Sequence, residues 1–308
     1  MSGRILVIRG GAIGDFILTL PAIKLLREAF PAAHLEIIGY RHIVALAEGR
    51  FYADAARSIE YGPMAGFFAR RGTLSPEMTE YFGSFQQVVS YLFDPDGIFE
   101  ANLRRAGVKN YVGAFTKIDD SDHATQQLAR PLQSLALFLE DSAATVYPRS
   151  HDHAIAERFL EGHVGPFVAI HAGSGSARKN WPVDRWAALG RRLLAASPAR
   201  KLLLVGGEAD HEILRALHET LGERSFLARD LALPHLAAVL GRCDAFLGHD
   251  SGISHLAAAA GARCILLFGP TDPAVWAPMN SQVKVLRAPG DDLTRLEVDA
   301  VLDEALSA

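Results

Sequence analysis

Asp244-Ala-Phe-Leu-Gly-His-Asp-Ser-Gly-Ile-Ser-His-Leu-Ala-Ala-Ala-Ala-Gly-Ala-Arg-Cys-Ile-Leu-Leu-Phe-Gly-Pro-Thr-Asp-Pro273 is the stretch that decides the fold. It reads as a buried strand (Ala245 to Leu247), a tight turn, a short alanine-rich helix and a second buried strand (Cys264 to Phe268). Both strands stop in small and polar residues, Gly248 to Gly252 and Gly269 to Pro273. Strands joined through a helix run parallel, so their closing turns lie side by side at the carboxyl edge, where open α/β sheets bind ligands. Ser251 suits an N-cap, and the helix behind it offers unpaired N–H groups and a positive dipole end to an anion. Asp250, Ser251, His255, Thr271 and Asp272 converge on that rim; an ordinary βαβ unit with plain turns is the competing reading.

Working outward, short apolar runs alternate with helical patterns, the signature of parallel α/β units. Arg4 to Arg9 is a first strand, and Asp15 to Ala29 a helix with Phe16, Leu20, Ile23 and Leu26 on one face. His34 to Ile38 and Gln87 to Tyr91 read as further strands of that sheet. The pattern restarts with strands at Phe167–His171, Lys201–Val205, Ser225–Leu227, Ala245–Leu247 and Cys264–Phe268. Arg130 to Leu139 looks helical, and the polar Glu140 to His153 is the candidate linker. The expected architecture is two α/β, Rossmann-like, doubly wound domains facing across a cleft, residues 1–145 and 146–308, with the last helix packing back on the first domain.

A chain of 308 residues suits about two domains. Apolar residues make up 49% and charged residues 21%, a globular composition. Lys plus Arg total 31 against 35 Asp plus Glu, and a net charge of −4 leaves no nucleic-acid footprint. No apolar run reaches membrane-spanning length, and Asp15 interrupts the place where a secretory signal would have its apolar core. Cys243 and Cys264 suit a reducing compartment, have no metal-ligand spacing and read as small buried hydrophobes. The expectation is a cytoplasmic protein.

Two glycine-containing loops follow strands. Arg9-Gly-Gly-Ala-Ile-Gly-Asp15 resembles a loosened dinucleotide fingerprint without being G-x-G-x-x-G, and Glu36 lies inside its strand rather than at the end, where a ribose partner belongs. A carboxylate at the mouth of the loop would repel a pyrophosphate. The glycines Gly10 and Gly11 instead let a substrate or another chain approach the backbone, with Asp15 as a base in the cleft or, more plainly, as a helix cap. The second loop, His171-Ala-Gly-Ser-Gly-Ser-Ala-Arg-Lys-Asn-Trp-Pro-Val-Asp-Arg-Trp186, offers Gly173, Ser174, Gly175 and Ser176 as small donors and Arg178 and Lys179 as charge. Small donors plus a cation at a strand's end suit a phosphate; a solvated loop is the alternative, with Trp181 and Trp186 in the core.

Arg4 to Ile23, His171 to Ser176 with Lys179-Asn-Trp-Pro and Arg185-Trp186, and Gly248 to His255 with Phe268 to Pro273 together resemble glycosyltransferase family 9, the heptosyltransferase-like enzymes of lipopolysaccharide synthesis. The resemblance runs along nearly the whole chain in order. It implies the GT-B fold, acceptor on the first domain and donor nucleotide-sugar on the second, and inversion at the anomeric carbon without a metal or cofactor. The implied partners are ADP-heptose and a lipid-linked saccharide. By position, Asp15 matches the family's base and Lys179 the lysine that neutralises the donor pyrophosphate. Ser174 or Ser176 would meet phosphate. Asp250, Ser251, Gly252 and His255 match the turn for diphosphate and donor sugar, Glu208 the acid for the ribose hydroxyls, and Leu231 to Leu233 the lining of an adenine pocket.

On the acceptor side, Gly10 and Gly11 are joined by Arg70 and Arg71, which with Phe67 and Phe68 can meet an anionic lipid headgroup or an acceptor phosphate. That contact would be peripheral, at the inner face of the inner membrane; an ordinary loop fits the same residues. The twelve histidines show no metal spacing, and His151 and His153 read as surface residues of the linker. No G-x-S-x-G elbow supports a serine hydrolase. The competing functions are the same chemistry with another nucleotide sugar or acceptor, a nucleotide-binding module without transfer, and a nicotinamide oxidoreductase.

Overall fold

A computed structural model of the chain describes residues 3–163 and 165–307. The chain divides into two compact units, Met1–Ser142 and Ala143–Ala308. The first holds β1 (Arg4–Ile8), α1 (Ile13–Ala29), β2 (His34–Gly39), α2 (Arg41–Val44), β3 (Ala55–Ser58), α3 (Pro76–Gly83), β4 (Gln87–Ser90), α4 (Ile98–Arg105), β5 (Tyr111–Gly113) and α5 (Ala124–Ala129). Its strands are ordered β3-β2-β1-β4-β5, all parallel. After Arg4, β1 is apolar because helices cover both faces of a central parallel strand; Leu6, Val7 and Ile8 are fully buried.

The second unit holds α6 (Ser150–Leu160), β6 (Phe167–Ile170), α7 (Val183–Ala196), β7 (Lys201–Gly206), α8 (His211–Leu221), β8 (Ser225–Arg229), α9 (Leu233–Leu240), β9 (Ala245–His249), α10 (Gly252–Ala259), β10 (Cys264–Phe268), α11 (Pro273–Trp276), β11 (Val283–Arg287) and α12 (Val298–Leu306). The sheet order is β11-β10-β9-β6-β7-β8, again all parallel. Trp181 and Trp186 meet edge to face at 5.0 Å in its core, as the sequence suggested.

Several boundaries differ from the sequence reading. β9 extends through Gly248 and His249, both buried, so the turn begins only at Asp250. α1 starts two residues before Asp15. The segment from Arg130 forms a tight 3-10 turn that ends at Leu135, because Ala136 takes a left-handed conformation. Only the first part of Glu140–His153 is a connection: the Val146 amide bonds to Ala259 O at 2.9 Å, and α6 begins at Ser150. His151 and His153 are exposed, on α6. Val301, Leu302 and Ala305 of α12 lie in the core of the second unit. Among the described residues no helix is long and apolar enough to cross a membrane.

Candidate active site

In each sheet the order of strands reverses beside the first strand of the unit, between β1 and β4 and between β6 and β9. Such switch points open a crevice at the carboxyl ends, where α/β sheets take their ligands. In the second unit the loop after β6 carries Ser174, Ser176 and Lys179, and the turn after β9 carries Asp250 and Ser251. Lys179 Nζ lies 2.6 Å from Asp250 Oδ2, the pair being 31% and 10% exposed at the side chain. These residues stand 71 apart in the chain, and the switch point brings them together.

Ser251 is the N-cap of α10, its hydroxyl accepting the Ser254 amide at 3.3 Å. Helix geometry leaves the N–H groups of Gly252 and Ile253 without partners inside the helix, so the positive end of α10 opens beside the Lys179–Asp250 pair. His255, one turn in, is buried. Beyond β10, Asp272 caps α11 through the Ala274 amide, and the buried hydroxyl of Thr271 has no hydrogen-bond partner among the described residues.

The two serines are not equivalent. Ser174 Oγ donates to Ser176 O at 2.8 Å and accepts the Ser176 amide at 3.2 Å, so its hydroxyl shapes the loop. No described group bonds the hydroxyl of Ser176. Gly173 is required by a close approach: a Cβ there would come within 1.9 Å of Asp210 Oδ1. Farther along the rim, Glu208 is exposed at the end of β7, and Leu231 is half-buried past β8, just ahead of α9. Among the described residues neither bonds to the Lys179–Asp250 pair; the strand order alone puts them on the same edge.

Sequence reasoning missed His249. Its Nε2 accepts the Trp181 amide at 2.8 Å, its Nδ1 lies 3.3 Å from Gly173 O, and the ring is fully buried. Burial pushes its pKa down to about 3. His171, at the end of β6, donates from Nδ1 to Val205 O at 2.9 Å and is likewise held below the usual histidine value by burial. A histidine closing an apolar strand was the available signal.

In the first unit Asp15 does what the plain reading said: Oδ2 accepts the Ala12 amide at 2.9 Å, closing the first turn of α1. The same carboxylate is 45% exposed, with Oδ1 3.7 Å from Arg9 Nη2. Arg9 was not anticipated. It is half-buried, donates to Thr19 Oγ1 at 2.9 Å and to Asp15 O at 3.2 Å, and desolvation pulls its pKa down while Asp15 pulls it up. The glycines are explained from inside the protein. A Cβ at Gly10 would meet Leu92 at 3.3 Å; at Gly11, where φ is +97°, it would meet Asp15 Oδ2 at 2.8 Å. Arg70 and Arg71 are exposed, Arg70 standing 4.0 Å from Asp96. Phe67 is wholly buried, while Phe68 is exposed and stacks on Phe99 at 4.8 Å. That patch is therefore smaller than the sequence suggested.

The family model "Glycosyltransferase family 9 (heptosyltransferase)" matches residues 102–302. Lipopolysaccharide heptosyltransferase 1 of Escherichia coli K12 is 25% identical over 327 residues, covering 99% of both chains. A glycosyltransferase family 9 structure from Veillonella parvula superposes with a TM-score of 0.83 at 19% identity, over 99% of this chain and 97% of that one. The E. coli heptosyltransferase WaaC solved with ADP gives 0.72 at 21% identity, over 98% of each. With both sheets of the fold and the family match in agreement, the chain belongs to glycosyltransferase family 9 and is a glycosyltransferase of the GT-B fold.

Proposed function

We propose that the protein transfers heptose from ADP-heptose to a saccharide acceptor of the lipopolysaccharide-core type, with inversion at the anomeric carbon and without a metal ion. The observation that carries this reading is the Lys179–Asp250 pair at the mouth of α10, on the switch point of the second sheet. The full-length likeness to a lipopolysaccharide heptosyltransferase supports the sugar and acceptor class, and the relative solved with ADP supports the nucleotide.

The second unit is the donor side in this scheme. Lys179, the Ser176 hydroxyl and the α10 N-terminus take the diphosphate, Asp250 and His255 lie on the sugar side, Glu208 meets the ribose and Leu231 the base. The first unit supplies Asp15. As the acceptor oxygen bonds to the anomeric carbon, its proton passes to the Asp15 carboxylate. The bond from that carbon to the β-phosphate oxygen breaks, and its electron pair leaves with ADP. An alcohol is much less acidic than a carboxylic acid, so proton transfer accompanies bond formation rather than preceding it. Negative charge grows on the leaving diphosphate, where Lys179 and the helix dipole oppose it; preset charges are worth most where charge develops.

The test is transfer to heptose-deficient lipopolysaccharide from ADP-heptose, with UDP- and GDP-sugars as controls and the product's anomeric configuration read by NMR. The expected product is inverted, and EDTA leaves the rate unchanged. Strict dependence on added Mg²⁺ or Mn²⁺, or a retained configuration, overturns the mechanism; preference for a UDP- or GDP-sugar overturns the heptose assignment.

A further inference from the structure

We propose that His249 is a positioning residue of the donor site: one imidazole fastens both ends of the Gly173–Trp181 loop and so sets Lys179 against Asp250 before a ligand arrives. The inference rests on the second unit being the donor side.

The geometry is specific. Gly173 O, at the entry of the loop, is an acceptor, so Nδ1 must carry the hydrogen. The Trp181 amide, at its exit, is a donor, so Nε2 must present its lone pair. Only the neutral Nδ1–H tautomer satisfies both, since protonation would set one N–H against another. The site favours that form, because burial holds the ring neutral. Trp186 meets the imidazole edge to face at 5.3 Å and limits its rotation.

Everything between the two fastened ends, Ser174 through Asn180, includes the side chains assigned to phosphate. The next residue after His249 is Asp250, which holds the Lys179 ammonium. One side chain thus joins entry, exit and counter-charge of the loop. His249 itself does not touch phosphate: both nitrogens are engaged and the ring is inaccessible. In an anion site a cationic histidine would be the obvious device; this one contributes shape and leaves the charge to Lys179. Ordering the loop in advance removes an entropy cost from binding.

His249→Phe keeps the ring and deletes both bonds; His249→Gln retains a donor and an acceptor. Calorimetric titration with ADP and with adenosine separates the phosphate contribution from that of the nucleoside. The expected loss for ADP in His249→Phe is about tenfold, the net worth of one or two hydrogen bonds, with adenosine nearly unchanged and His249→Gln in between. A merely structural role would weaken both ligands together, and an unchanged ratio of ADP to adenosine affinity overturns the proposal. Nitrogen NMR of wild-type His249 gives a second reading that needs neither variant nor ligand. A fixed Nδ1–H signal from pH 5 to 8 is expected, and an Nε2–H tautomer or a midpoint near 6.5 overturns it. Wild type that fails to bind ADP defeats the donor-site assignment, and the role in donor binding with it, whereas normal ADP binding with the wrong tautomer defeats the His249 inference alone.

Discussion

Replacing Lys179 by methionine keeps the aliphatic stem and removes the charge. Two unit charges 4 Å apart interact by about 4 kcal/mol at an effective dielectric of about 20. Solvent reaches 31% of the Lys179 side chain, and Asp250 already draws on its charge at 2.6 Å. Half of the ideal value, about 2 kcal/mol, is therefore the expected cost to ADP binding, or about thirtyfold in Kd. Adenosine should bind as before. Turnover should fall further than affinity, because the leaving diphosphate carries more charge in the transition state than in the bound donor. The variant also strands Asp250, only 10% exposed, without its cation. The double variant Lys179→Met with Asp250→Asn removes that strain, and its thermal stability shows how much of any loss is folding. Calorimetry on ADP and adenosine is the assay. Wild-type ADP affinity in Lys179→Met, or an equal loss for adenosine, would refute the electrostatic reasoning.

Asp15→Asn retains an oxygen that can accept the Ala12 amide, so the helix cap survives while the base is lost; turnover should drop by about 10² to 10⁴ with ADP affinity and thermal midpoint nearly intact. An Asn variant with normal turnover would leave Asp15 as a cap only. Glu208→Ala should weaken ADP several-fold, about the worth of one exposed hydrogen bond, and leave pyrophosphate affinity unchanged; equal losses for both ligands would remove it from the ribose. Acid should destabilise the second unit through His249, which titrates near 6.5 when unfolded and near 3 when folded. The unfolded chain then binds the extra proton, so this contribution is intact above about pH 6.5 and is lost toward pH 3, with about 2 kcal/mol gone by pH 5. His171 acts in the same direction, and Asp250, which favours the protonated ring, opposes it slightly. Denaturant titrations of wild type and His249→Phe at pH 7 and 5 should show the smaller fall in the variant, and parallel falls would contradict the buried neutral ring.

Part of this protein was legible before folding. The central strands carry continuous apolar runs, residues 5–8 in β1, residues 245–247 in β9 and the whole of β6 and β10, because a parallel strand covered on both faces is apolar over its buried length. Their ends are punctuated by glycine and small polar residues, which located the loops at Gly10 and Gly173 and the turn at Asp250. Of the edge strands, β8 was read but β3, β5 and β11 were not: β3 is Ala-Ala-Arg-Ser, β5 has three residues, and β11 is interrupted by Lys284 and Arg287, since an edge needs little apolar surface. What tertiary structure alone decided is pairing. Asp15 could be read from sequence as base or cap, and only the fold shows one carboxylate oxygen taking the Ala12 amide while the other stands near Arg9. Phe67 and Phe68 are neighbours of equal hydropathy, yet one is in the core and the other stacks outside on Phe99. Lys179 meets Asp250, and His249 meets Gly173 and Trp181, across separations of 68 to 76 residues. Local sequence dictates periodicity, caps and turns through neighbours a few residues away. Partners that distant meet only because the order of strands sets β6 beside β9.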